Sequence, residues 1–122
     1  MVGSKGKQVA LVRREELRSV LARWQHGELS HSQVYDWSNE HFGLEQMDGG
    51  DSVVNEILAH LDIMDVNLTT PDDVPIFLAM LDADSEADAT ELLRRHGDAL
   101  DLDVRITKWR TDPFYAPWQL TR

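Results

Sequence analysis

The sequence predicts an all-α fold, a single compact bundle of five to six short helices followed by an extended C-terminal tail. Three observations carry that expectation. Apolar residues recur at three- and four-residue steps through most of the chain. Residues with a capping hydroxyl or carboxylate stand just ahead of those periodic runs, and glycines follow several of them. Finally, no convincing pair of alternating segments exists to build a sheet. At 122 residues the length is that of one domain, large enough to bury about two-thirds of its unfolded surface without staples. Residues 1–7 read as a flexible basic tail and 8–122 as the helical domain.

The first helix begins near Val12 and places Leu17, Val20, Leu21 and Trp24 on one face. Gly27 stops it, since glycine accepts the left-handed conformation that strains other residues. Ser30 or Ser32 then caps a second helix bearing Val34, Trp37 and His41, with Leu29 positioned to staple against Val34. Gly43 and the run Met47–Gly50 break the pattern. Asp51 or Ser52 caps a third helix with Val53, Val54, Ile57, Leu58, Leu61 and Met64 at helical spacing. Thr70, Pro71, Asp72 and Asp73 open a fourth through a cap hydroxyl, a first-turn proline and acids suited to the positive helix end. Pro75 moves the regular part of that helix toward Asp73. Ser85 starts a fifth, through Leu92, Leu93 and His96 to Gly97. Leu100, Leu102, Val104 and Ile106 alternate as a strand would, yet Leu102, Ile106 and Trp109 also fit a helix. With only Val9–Val12 to pair against, a sixth helix is favoured.

Several chemistries find no support. The chain has no cysteine, which excludes disulfides and thiolate sites. The five histidines, His26, His31, His41, His60 and His96, show no His-x3-His pair for a metal. Asp82–Asp88 fails as a calcium loop, because Ala87 stands where the turn glycine belongs and Leu93 where the bidentate glutamate belongs. No nucleophile elbow is present, and Gly3–Lys7 lacks the spacing of a phosphate loop. The second helix carries Asp36 and Glu40 without a cation, the wrong charge for reading DNA. The expectation is a protein with no metal, no cofactor, no catalytic residue and no direct contact with nucleic acid. The apolar run Val9–Val12 is too short for a secretion signal and no stretch suits a membrane span, so a cytoplasmic location is expected.

Charge carries the functional expectation. The formal net charge is −10. Residues 1–23 hold a net +4 and residues 94–122 a net +2, whereas residues 24–93 contain sixteen Asp and Glu and no Lys or Arg. A mixed soluble surface does not produce this by default. Two explanations compete. The basic ends fold over the acidic middle and neutralise it, or Asp62, Asp65, Asp72, Asp73, Asp82, Asp84, Glu86 and Asp88 form a face for a basic partner. In the second case Asp72, Asp73, Asp82, Asp84 and Asp88 project into solvent, unpaired by the chain's own arginines. These acids gather at the ends of the third, fourth and fifth helices, where they can share one side. Charge complementarity of that kind speeds association and excludes wrong partners. Tyr115 and Trp118 either dock on the bundle edge or join the partner-binding set as aromatic anchors.

The run Leu21-Ala-Arg-Trp24-Gln-His-Gly27-Glu-Leu29-Ser30, followed by a helix bearing Trp37, resembles the small acidic helical immunity proteins of bacteria, the colicin-D-like and contact-dependent-growth-inhibition groups. The resemblance spans residues 13–65 in layout. It implies a non-enzymatic inhibitor that occludes a basic toxin such as a nuclease, and it assigns no residue a role. The alternative is a small structural or adaptor subunit, homodimeric in one version, whose acidity serves solubility.

Overall fold

The computed structural model describes residues 11–116, and within them the chain is helical without strands. Eight α-helices follow in order: α1 (Arg14–Gln25), α2 (His31–His41), α3 (Leu44–Gly49), α4 (Ser52–Asp62), α5 (Met64–Asn67), α6 (Val74–Asp82), α7 (Glu86–Ala99) and α8 (Leu102–Trp109), with a 3-10 turn at Pro71–Asp73. The count exceeds the expected five to six because two short helices, α3 and α5, occupy stretches read as breaks or as helix ends. The segment 100–106 is resolved in favour of helix: Asp101 accepts a hydrogen bond from the Val104 amide and so caps α8.

The local signals explain the long elements. Gly27 takes φ +80° after α1. Ser30 and Gln33 exchange hydrogen bonds in a capping box at the start of α2. Asp51 accepts from the amides of Val53 and Val54 at the start of α4. All six apolar positions expected of that helix segment, Val53 through Met64, are buried. Each fully buried aliphatic side chain contributes roughly 1.5–3 kcal/mol. Together with Leu17, Leu21, Trp24, Val34, Phe77, Met80 and Leu81 they form one core. Trp37 is only half-buried. Val34 and Ser38, not Trp37, form the inward face of α2.

Short α3 is held by a polar side chain. Gln46, fully buried, accepts from the Val12 amide at 2.8 Å and donates to Asn55 Oδ1 at 2.8 Å. That ties the entry of the chain to α4 without an apolar stripe for a sequence pattern to reveal.

The C-terminal stretch departs from the expectation of an extended tail. Residues 112–116 turn on themselves, with the Tyr115 and Ala116 amides donating to the Asp112 carbonyl. Residues 1–7 and Trp118 lie outside the described residues. No helix among the described residues is long and apolar enough to cross a membrane.

Candidate functional site

The acids expected on one face are divided between the two ends of the bundle. At one end, Arg14 grips Asp51 through Nε and Nη2 and donates to the Leu81 carbonyl, while Arg18 meets Asp82 at 2.7 Å. This joins the start of α4 to the finish of α6. At the other end, His60 near the finish of α4, Asp73 just ahead of α6 and His96 near the finish of α7 share a cleft. A rise of 1.5 Å per residue sets the start of α7 about 15 Å from His96. Asp82, Asp84, Glu86 and Asp88 therefore lie at the first end, and Asp62, Asp65, Asp72 and Asp73 at the second.

Three of the expected interface acids are taken by the chain's own cations. Asp82 pairs with Arg18, Asp72 with Lys108 at 2.7 Å, and Asp73 with Arg105 at 2.7 Å. The expectation that they stand unpaired in solvent is corrected for these three, because the basic ends of the sequence fold onto the acidic middle. Asp73 is the extreme case, its side chain only 7% exposed. Asp84, Glu86 and Asp88 remain exposed, with no cation partner among the described residues. Asp62 and Asp65 are half-buried, also without an ion pair among those residues. Asp65 Oδ1 is closed off from solvent and has no hydrogen-bond partner among the described residues.

Of the two placements open to Tyr115, docking on the bundle is the one observed, and its place in the partner-binding set is corrected. Its side chain is fully buried and its hydroxyl donates to the Thr69 carbonyl at 2.7 Å, so it anchors the C-terminal stretch instead of facing a partner. Burial, reinforced by the charges of Asp112 and Asp73, pushes its phenol well above the ordinary range. Beside it, the Trp24 indole donates to His31 Nδ1 at 3.0 Å. Indole only donates, which places the His31 proton on Nε2, and that nitrogen donates to Asp112 at 3.1 Å. The rings of Trp109, Phe114 and Tyr115 crowd around the same imidazole.

The second end holds a polar cluster that sequence reasoning missed. Asp73 Oδ2 accepts from the Thr70 amide and from Arg105 Nη1, and Oδ1 accepts from His96 Nε2. Arg105, whose side chain is 8% exposed, also donates to the Leu68 carbonyl at 3.3 Å. Leu68 adopts φ +57°, the left-handed region that costs a non-glycine residue roughly 1 kcal/mol. Asp72 receives Lys108 and the Trp109 indole. Burial tends to raise its carboxyl, but those two donors outweigh it and hold it below the usual range. The turn Thr69–Asp73 is thus gripped by four side chains of the last helix and its sequel.

Against this cluster lies a cavity of about 270 Å³ lined by His60, Phe77, Leu93, His96, Leu100 and Arg105, among others. The Asp73–His96 pair has the form of an orienting acid and base, yet among the described residues no hydroxyl meets His96 Nδ1. A nucleophilic relay needs that third group. A wider groove of about 610 Å³ runs along Leu11–Glu15 and Gly49–Asp51. Of its charged residues, Arg13, Arg14, Glu15 and Asp51, the pair Arg14 and Asp51 satisfy one another. No group of three or more ligating side chains suited to a metal occurs among the described residues.

Comparison with protein-family models, with curated proteins and with solved structures gave no match to this chain.

Proposed function

We propose that the chain is a non-enzymatic binding protein of the immunity or antitoxin type, meeting a basic partner with the carboxylates around the start of α7. The observation that carries this is the exposed set Asp84, Glu86 and Asp88, without a cation partner among the described residues while Asp72, Asp73 and Asp82 receive theirs. Such carboxylates need not surrender an internal partner before they meet an external one. Inhibition would be steric and electrostatic, by occupation of a cationic cleft, with no chemistry supplied by the chain.

The test is co-expression with a basic toxin encoded beside its gene. Growth should be restored by the wild type and lost with D84K/E86Q/D88Q. Removing two first-turn carboxylates costs about 0.3–1 kcal/mol each at the positive helix end, so the variant should stay folded. Protection that survives the triple change would overturn the reading.

A second reading, a self-associating subunit, draws on one observation. Leu44 and Met47 stand one turn apart on α3 with large exposed areas, and Leu11 packs beside Gly49 of the same helix. A dimer in sedimentation equilibrium, made monomeric by L44E, would favour it.

A further inference from the structure

We propose that the cleft beside Asp73 is a binding site for a small neutral molecule that presents a carboxamide or lactam edge, a carbonyl oxygen next to an N–H. This is independent of the partner-binding reading above.

The argument starts from Arg105. A buried guanidinium is costly unless its donors are used. Its Nη1 is used twice, by Asp73 and by the Leu68 carbonyl. Its Nε and Nη2, the two donors that form the side-on fork, have no acceptor among the described residues. Neither is sealed away: the one fully buried side-chain polar atom without a partner among these residues is Asp65 Oδ1. The Nε and Nη2 donors of Arg105 are therefore unused and not fully closed off, and the residue lines the 270 Å³ cavity.

Two imidazoles line the same cavity, and their hydrogen bonds fix which nitrogen is left over. His60 Nδ1 meets the Glu56 carbonyl at 2.9 Å, a contact that requires the proton on Nδ1 and in the neutral ring leaves a lone pair on Nε2. His96 Nε2 donates to Asp73, which in the neutral ring leaves a lone pair on Nδ1. Among the described residues neither remaining nitrogen has a protein partner. The walls between are apolar, from Phe77, Leu93 and Leu100. The cleft brings Arg105, His60 and His96 together beside Phe77, Leu93 and Leu100, with Asn67 and Thr69 also on its wall.

Charge selects among ligands. Arg105 is already matched by Asp73 and Asp72 by Lys108, which leaves Asp101 on the adjoining surface and a net charge of −10 over the chain. A carboxylate would gain the fork but enter a negative field. An ammonium would gain the imidazoles but face the guanidinium. A carboxamide satisfies both sets at once and brings no charge.

The experiment is a titration of the isotope-labelled full chain with nicotinamide, benzoate and benzylamine in parallel, followed through the imidazole resonances of His60 and His96. Saturable shifts with nicotinamide, at least about tenfold tighter than with either charged compound, are expected from the two sets of bonds. R105K should weaken nicotinamide at least about tenfold. Because that change disturbs a buried pair, L100W provides a second arm: it fills the cleft from a partly exposed position and should abolish the shifts in a chain that keeps its helical circular dichroism. Equal or tighter binding of benzoate or benzylamine, no saturable response to nicotinamide, or unchanged binding in L100W would each overturn the proposal.

Discussion

Replacing Asp73 with alanine should destabilise the fold far more than any other single acid-to-alanine change in residues 24–93. The carboxylate is nearly sealed and makes three hydrogen bonds, to the Thr70 amide, Arg105 and His96. Its loss strands a guanidinium that is itself 8% exposed. Removing one member of a buried pair costs about 3–5 kcal/mol. For a domain of this size that is a fall in Tm of roughly 10–20 °C. Urea unfolding followed by tryptophan fluorescence measures it, and a double-mutant cycle with R105M should return a coupling of roughly 1–3 kcal/mol. If D73A loses less than about 1 kcal/mol, the value of an exposed carboxylate, the cluster is not the internal anchor described above.

Tyr115→Phe leaves the Thr69 carbonyl unmet and should lower stability by about 1 kcal/mol, read by the same unfolding assay. Leu58→Ala, at the middle of the core, should cost about 2–5 kcal/mol. Asp51 is raised by burial but lowered more by Arg14 and by the amides of Val53 and Val54, and Asp72 ends below the usual range as well. A depressed carboxyl contributes stability that is complete above its unfolded value, near 4, and lost as pH falls through the folded one; Tm should drop on acidification below about pH 4, and D51N should flatten that drop. On the alkaline side the sign reverses. The raised Tyr115 phenol contributes stability that is complete below about pH 10 and lost above it, so ultraviolet titration should show the Tyr115 phenol ionising well above the ordinary tyrosine range.

The long helices were legible because their signals are local. Ser30, Asp51 and Ser85 each cap the helix their position announced, while Thr70 caps the 3-10 turn that precedes α6, and the period of Val53–Leu61 reports the burial that α4 achieves. Helix α3 was hidden because its anchor is Gln46, whose bonds reach Val12 and Asn55, so no apolar stripe marks it. Helix α5 is a single turn ended by Leu68 in a conformation that a leucine does not advertise.

The charge segregation was visible as a count, and the count holds two answers that only tertiary contacts separate. Arg18 and Asp82 are 64 residues apart and Arg105 and Asp73 are 32 apart; nothing local tells Asp73, which is buried, from Asp84, which is not. Nor does spacing reveal that His60, His96 and Arg105, from three helices, border one cleft. A proline- and aromatic-rich end suits docking on the bundle as well as docking on something else, and only the buried contact with Thr69 shows which of the two Tyr115 takes.

The proposed partner-facing surface is the exposed set Asp84, Glu86 and Asp88 at the start of α7, which has no cation partner among the described residues. Amide-resolved titration with an arginine-rich peptide tests it most directly. Shifts should concentrate at residues 84–88, fade as added salt shortens the screening length to about 3 Å near 1 M, and vanish in D84K/E86Q/D88Q. Shifts centred on Asp72, Asp73 and Asp82, or none at low salt, would contradict it.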